Sequence, residues 1–283
     1  MRIEVLKAWL GIARVGNSVV IGVAAITGYV VCGGHDLIKA LLLFLGASLV
    51  GVGGNVINDY FDRFIDSVNK PWRPIPSGII KAEVAFRASM VFMALGTLVS
   101  TLVSLTNSVL ALTASVLLYL YSWRLKSLGP IGNSVIASLS LLSIIYGGVA
   151  TGNPLKSLVP SFYAFLIILG REFLKGLEDI EGDLKYGVMT LANTYGVGVA
   201  TALGLTSLAT VVVISPLPLI TNYCLNPIPY ATLAFAGVDA PIALATYLII
   251  KDPLRNAWRA TRVLKAPLLL GLLAFLTGCL SLE

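Results

Sequence analysis

Nine apolar stretches, each long enough to cross a bilayer as a helix, run through this 283-residue chain. A membrane-spanning helix needs about 20 apolar residues, whereas a strand of a transmembrane barrel alternates in polarity over about ten. The chain has no such alternation, so we predict an all-α fold, a polytopic membrane bundle of nine transmembrane helices. The stretches cover residues 15–32, 37–57, 82–104, 107–122, 131–151, 158–177, 196–217, 228–250 and 263–282.

Composition supports the membrane class. Hydrophobic residues make up 57% of the chain and charged residues only 12%, where soluble proteins carry about 25% charged residues. The connections between the stretches are short, which predicts one transmembrane domain over residues 1–283 with short cytoplasmic cap loops. The first stretch is not followed by a small-residue cleavage site and a polar mature chain, so we expect no removable signal peptide.

The cationic residues are distributed unevenly between the two faces of the predicted bundle. All but two of the 20 Lys and Arg residues precede the first stretch or follow the second, fourth, sixth or eighth; the exceptions are Lys39 and Lys156. The positive-inside rule then predicts a cytoplasmic N-terminus and an outward C-terminus. Juxtamembrane cations also bind anionic lipid headgroups, as we expect for four cations after the eighth stretch, Arg255, Arg259, Arg262 and Lys265. We therefore expect these cations to contact the lipid bilayer, and we expect no nucleic-acid partner.

An acidic motif lies at the end of the second stretch. Asn58, Asp62 and Asp66 are spaced i, i+4, i+8, so on a helix they form one stripe with about 5–6 Å between neighbouring Cβ atoms. Oxygen ligands on one face suit Mg²⁺, which takes one or two carboxylates and completes its shell with water and phosphate oxygens. For this motif alone, a solvated acidic helix end is an alternative interpretation.

A second acidic motif follows the sixth stretch, where Asp179 and Asp183 repeat the i, i+4 spacing. More than half of the 14 Asp and Glu residues fall in the two windows 59–66 and 172–183. Scattered surface charge would not cluster in this way. Both motifs lie on the predicted cytoplasmic face, so they are expected to build one site.

A proline-stiffened basic loop, residues 69–78, follows the first motif. Its prolines end the helix and restrict the backbone. Arg73 can fork onto phosphate oxygens while Lys70 acts as a point charge. The alternative is a stiff connector with ordinary cytoplasmic cations. Beside magnesium-type carboxylates and an apolar bundle, these cations predict a polyprenyl diphosphate as substrate.

At these residues the chain resembles the UbiA superfamily of intramembrane prenyltransferases. Nine-helix members carry Asn-x₃-Asp-x₃-Asp after the second helix and Asp-x₃-Asp after the sixth. The amino-acid sequence around both motifs is most similar to that of the archaeal digeranylgeranylglyceryl phosphate synthases. The resemblance implies two Mg²⁺ ions, held by ligands from both motifs, namely Asn58, Asp62, Asp66, Asp179 and Asp183.

The same resemblance implies roles outside the acidic motifs. A Tyr-x₃-Lys signature of the superfamily corresponds to Tyr121 and Lys126, which are one residue farther apart in this chain. The resemblance therefore implies that Tyr121 and Lys126 contact the diphosphate, in addition to Lys70 and Arg73. The pattern Arg-Pro-x-Asn corresponds to Arg14 and Asn17 with the proline lost, which implies that these two hold the acceptor headgroup. Ordinary helix-end anchors remain an alternative for Arg14, Asn17 and Lys126.

The implied reaction is the transfer of a prenyl group, geranylgeranyl in this branch, from its diphosphate to the free hydroxyl of geranylgeranylglyceryl phosphate, in membrane ether-lipid biosynthesis. Catalytic roles then fall to Asp62, Asp66 and Asp183, with either Asp66 or Asp183 accepting the hydroxyl proton. Within the same class, an aromatic acceptor such as 4-hydroxybenzoate, used in quinone biosynthesis, is the alternative.

A divalent-cation transporter is the alternative from a different class, but transport sites lie near the bilayer midplane. Both motifs here lie at helix ends beside a basic loop. Asp239 is the exception, since it falls in the middle of the eighth stretch, where an ionisable group is costly. We expect it to form a buried hydrogen bond with an Asn or Ser of a neighbouring helix.

Overall fold

The computed structural model describes residues 2–178, 180 and 189–280, and within these residues the chain forms helices and no β-strand. The helices before the second acidic motif are α1 (Arg2–Ala13), α2 (Val15–Val31), α3 (Leu37–Asn69), α4 (Ala82–Thr101), α5 (Leu105–Trp123), α6 (Pro130–Val149) and α7 (Leu158–Glu178). Those after it are α8 (Leu191–Tyr195), α9 (Val197–Ile214), α10 (Leu217–Ile220), α11 (Pro227–Ala234), α12 (Ala240–Lys251), α13 (Pro253–Val263) and α14 (Ala266–Cys279).

Eight helical segments of the described chain are long and apolar enough to cross a membrane, and the bent pair α1 and α2 makes a ninth candidate. The predicted polytopic helical bundle is therefore confirmed. Helix α1 was not predicted, because its 12 residues are too few to span and lie outside the apolar stretches. It meets α2 at an angle of 44°.

The bend between α1 and α2 is centred on Arg14, whose backbone is left-handed (φ 46°). A single residue in this region interrupts the helical hydrogen bonding, so the carbonyl of Ala13 needs other donors. The Oγ of Ser18 and the Nδ2 of Asn55 donate to this oxygen over 3.1 and 3.0 Å. The second bond ties the bend to α3, two turns before Asp62.

Helix α3 is 33 residues long and continues well beyond its predicted apolar stretch, 37–57. Asp36 caps its start by accepting hydrogen bonds from the backbone of Ile38 and Lys39. At 1.5 Å per residue α3 extends about 50 Å, more than the roughly 30 Å hydrocarbon core, so its last turns project past the bilayer interior. It ends at Asn69 because Lys70 precedes a proline and leaves the helical region.

Two hydrophobic clusters account for most of the buried core of the bundle. One joins buried residues of α2, α3, α5 and α6, and the other joins α7, α9 and the helices that follow. Helices α2 and α6 approach closely because Gly28 faces the Ile144 carbonyl and Gly147 faces that of Ala25. A large cavity lies between the two clusters.

Candidate active site

A cavity of about 1280 Å³ extends into the bundle from the end of α3. Ligand pockets for drug-sized molecules have about 300–1,000 Å³, so this one has room for a larger ligand. One end carries the predicted polar and charged residues, and the walls beyond it are largely apolar. The apolar walls include Val20, Ile21, Leu118, Ile136, Leu139 and Ile167.

The first acidic motif forms the expected stripe. Asn58, Asp62 and Asp66 lie on the last turns of α3, and all three line the cavity. Asp66 is buried. Asp59 falls outside the i, i+4 series and points to the α1/α2 bend, where its Oδ1 lies 2.5 Å from Nη2 of Arg14. The helical period therefore separates a cavity-facing carboxylate set from a carboxylate that holds Arg14.

Each cavity-facing carboxylate of α3 is paired with a cation from outside that helix. Nζ of Lys126 donates to Oδ2 of Asp62 over 2.6 Å. Nη1 of Arg73 donates to Oδ2 of Asp66 over 2.5 Å and lies 3.5 Å from Oδ1 of Asp59. The clustered negative charge of α3 is thus balanced by three cations, Arg14, Arg73 and Lys126.

Lys126 reaches the cavity from a short 3₁₀ turn, Leu125–Ser127, that follows α5. Gly132 at the start of α6 allows this turn to pack closely, since a Cβ at that position would lie 2.7 Å from the Leu125 carbonyl oxygen. The one-residue extension of the spacing from Tyr121 therefore does not remove Lys126 from the site. Tyr121 lines the same cavity from the last turn of α5.

The other predicted contacts line the cavity as well. Lys70 is exposed at the end of α3 and forms no ion pair with any described residue. Asn17, also exposed, and the paired Arg14 lie where this cavity meets a smaller one at the α1/α2 bend. The structure thus brings together Asn58, Asp62, Asp66, Lys70, Arg73, Tyr121, Lys126, Arg14 and Asn17.

Asp179 and Asp183, the predicted ligands of the second acidic motif, lie outside the described residues. The helix that leads to it, α7, ends at the cavity. No group of three Asp, Glu, His or Cys side chains close enough to hold a metal occurs in residues 2–178, 180 and 189–280.

Several charged residues of the cavity had no predicted role. Glu172 of α7 accepts a hydrogen bond from Nη1 of Arg171 over 2.7 Å, and Nζ of Lys175 lies 4.0 Å from its other oxygen. Thr261 of α13 donates to Oε2 of Glu178 over 2.8 Å, which ties α13 to the end of α7. Lys265, expected only among the lipid-facing cations, lines both cavities. The sequence signal that could have identified Glu172 as a site residue is its position in the same acidic window as the second motif.

Curated relatives match nearly the whole chain. The digeranylgeranylglyceryl phosphate synthase of Sulfolobus acidocaldarius is 38% identical over 280 residues, which cover 98% of this chain and 99% of the relative. The enzyme of the same name from Methanopyrus kandleri is 37% identical over 275 residues, with 97% and 100% covered.

Solved structures have the same architecture. A structure of a digeranylgeranylglyceryl phosphate synthase superimposes with a TM-score of 0.76 at 35% identity, over 98% of this chain and 99% of the other. A UbiA homologue from Archaeoglobus fulgidus, solved with GPP and Mg²⁺, has a TM-score of 0.70 at 16% identity over 95% and 99%, a likeness of fold. Residues 19–265 match the UbiA prenyltransferase family. The chain is therefore a multi-pass integral membrane protein that belongs to the UbiA prenyltransferase family.

Proposed function

We propose that this protein transfers a geranylgeranyl group from its diphosphate to the free hydroxyl of geranylgeranylglyceryl phosphate. The main support is the cavity, in which the cation-paired carboxylates Asp62 and Asp66 lie at one end and the walls beyond them are largely apolar. Such a cavity suits a substrate with a charged headgroup and a hydrocarbon tail. The two relatives at 38% and 37% identity carry the name of this activity.

The described donor set fits Mg²⁺. Asn58, Asp62 and Asp66 place one amide and two carboxylates on one face of α3, and in the described residues no hydrogen bond occupies Oδ1 of either carboxylate. Hard oxygen donors of this kind are magnesium ligands. We assign them to the metal together with Asp179 and Asp183. When bound, Mg²⁺ neutralises diphosphate oxygens and so makes diphosphate a better leaving group.

The cations of the site bind the diphosphate in this proposal. Lys126 and Arg73 are held in place by Asp62 and Asp66, so their charge is positioned before substrate binds. Lys70 lies at the same end of the cavity without a carboxylate partner among the described residues. Negative charge that develops on the departing oxygen is then stabilised by fixed positive groups. The hydroxyl of Tyr121 is the remaining diphosphate contact.

Bond breaking leaves the electron pair of the allylic C–O bond on the diphosphate oxygen. The acceptor oxygen forms the new bond to the same carbon, and its proton passes to Asp66 or Asp183. The apolar cavity walls keep water from the allylic cation. Arg14 and Asn17, beside the smaller cavity, hold the phosphate of the acceptor.

An assay of the purified protein with labelled geranylgeranyl diphosphate and Mg²⁺ tests the proposal. Geranylgeranylglyceryl phosphate and 4-hydroxybenzoate are offered in parallel. Product with the lipid acceptor alone is expected, whereas product with the aromatic acid alone would reject the proposed acceptor. The cation-transporter hypothesis is set aside because the chain belongs to a prenyltransferase family.

We also propose that the N-terminus and the site face the cytoplasm, which the asymmetry of Lys and Arg supports. Ser77 and Asn153 are exposed positions in loops at opposite ends of the bundle. In a chain without its own cysteines, Ser77→Cys should resist a membrane-impermeant thiol reagent in intact cells, and Asn153→Cys should react. The reverse labelling pattern would invert the topology.

A further inference from the structure

Asp239 lies near the middle of the membrane segment Pro227–Lys251. A charged or ionisable residue at this depth is costly and is retained where it has a specific partner or role. It ends a π-helical segment, Phe235–Asp239. Pro241 follows two residues later and has no N–H to donate to the carbonyl of Gly237, as an α-helix would require. The wider π turn leaves room for the proline ring. The reaction proposed above makes no use of this residue.

Asp239 is anchored to the end of a neighbouring helix. Oγ of Ser215 donates to its Oδ2 over 2.6 Å in a partly buried contact, which confirms the predicted hydrogen bond to an Asn or Ser. The other oxygen, Oδ1, is buried and has no hydrogen-bond partner in the described residues. Ser215 follows the last residue of α9. The Asp239 contact therefore fixes the end of α9 against the π segment.

The same end of α9 holds two tyrosines. The hydroxyl of Tyr230 donates to the carbonyl of Ser215 over 2.9 Å, and that of Tyr163 donates to the carbonyl of Ile214. Both rings pack edge-on against Phe275, with centroids 5.2 and 5.3 Å from it. We call Tyr163, Tyr230 and Phe275 the aromatic wall. Its residues are nearly fully buried.

All three residues of the aromatic wall line the large cavity, and the helical rise separates them from charged residues of the same cavity. Tyr163 lies eight residues before Arg171 on α7, about 12 Å along the helix axis. Phe275 lies ten residues after Lys265, about 15 Å along α14. A substrate whose headgroup binds between Lys126 and Arg73 therefore directs its tail toward these three rings.

We propose that the aromatic wall limits the length of the prenyl chain that the cavity accepts, and that Asp239 is a positioning residue for this wall. The inference rests on the proposed prenyl transfer. Aliphatic side chains at a cavity end can change rotamer to admit a longer tail. Here two of the three rings are tethered through their hydroxyls to α9, and Asp239 holds α9 in turn, so the wall cannot retreat.

The first test compares geranylgeranyl diphosphate with a donor one isoprene unit longer. Phe275→Ala should raise the ratio of kcat/KM for the longer donor to that for geranylgeranyl diphosphate by at least about tenfold, since methylene-sized changes in apolar pockets have effects of this size. Phe275→Leu should raise the same ratio by a smaller factor, and it replaces Phe275→Ala in the test if the alanine variant does not fold. The matched control is Phe162→Leu, which replaces the lipid-facing ring next to Tyr163.

The second test concerns Asp239. Asp239→Leu removes the acceptor of the Ser215 hydroxyl and should raise the same donor ratio, whereas Asp239→Asn retains an acceptor oxygen and should stay near the wild-type ratio. A merely structural role would lower activity with both donors equally. An unchanged ratio in folded Phe275 and Asp239 variants overturns the inference while wild-type transfer stands. A wild-type protein inactive with both donors would overturn the proposed function and the inference together.

Discussion

Lys126 and Asp62 are separated by 64 residues in the chain, and Nζ of the lysine lies 2.6 Å from Oδ2 of the carboxylate. The contact connects the turn after α5 to the last turns of α3. Both side chains are partly exposed to the cavity, at 35% and 15%. The pair therefore joins a proposed diphosphate contact to a proposed metal ligand, and its two members can be tested separately.

Replacing Lys126 by Met, which keeps the chain length and removes the charge, should reduce kcat/KM for the donor by about 10- to 100-fold. A hydrogen bond to a charged group contributes about 1.5–3 kcal/mol, and each 1.4 kcal/mol is a factor of ten. Steady-state assays with varied geranylgeranyl diphosphate measure the loss. Lys39→Met, an exposed lysine at the opposite end of α3, is the control; equal losses in both variants would exclude a specific role for Lys126.

Asp62→Asn should raise the Mg²⁺ concentration needed for half-maximal activity and lower kcat, because an amide is a weaker and uncharged magnesium ligand. The protein should still extract and unfold as the wild type does. The measurement is a Mg²⁺ titration of transfer. Asp36→Asn, at the N-cap of the same helix, should leave the magnesium requirement unchanged. A wild-type magnesium response in the Asp62 variant would remove Asp62 from the metal ligands.

The cavity-facing stripe was predictable because it depends on local periodicity. Asn58, Asp62 and Asp66 recur every four residues directly after an apolar run, and a helix must place them on one face. The same periodicity excludes Asp59 from the stripe. Its partner, Arg14, lies 45 residues earlier, and only the left-handed backbone at Arg14 brings the two together.

Tertiary partners were predictable in kind but not in identity. The cost of an unpaired carboxylate inside a membrane required a polar partner for Asp239, but its identity, Ser215, depends on how α9 packs against the π segment. Helix α1 escaped prediction because propensity and hydropathy signals are weak over 12 residues. The Lys126 contact with Asp62 required the position of the 3₁₀ turn.

Removing the charge of Arg14 should destabilise the protein, because Asp59 is buried and would keep only the more distant Arg73. Breaking a buried pair costs about 3–5 kcal/mol; since Arg14 is one-third exposed, we expect about 1–3 kcal/mol for Arg14→Gln. Thermal unfolding in detergent measures the loss. The double variant Arg14→Gln, Asp59→Asn should lose less than the sum of the single changes. Strict additivity would contradict a direct interaction.

Gly28→Ala should be strongly destabilising, because the added Cβ would lie 1.8 Å from the carbonyl oxygen of Ile144 on α6. Backbone atoms cannot move aside as a flexible side chain can, so α2 and α6 would have to separate, and overpacking costs about 1–3 kcal/mol or more. Gly198→Ala is the matched control, since no atom lies within 4 Å of a Cβ built there; it should be neutral or stabilising by about 0.5–1 kcal/mol. Unfolding temperatures of the two variants in the same detergent measure the difference. Because α2 lines the cavity, Gly28→Ala should also lower transfer activity. A Gly28→Ala variant with wild-type stability would contradict the close approach of α2 and α6.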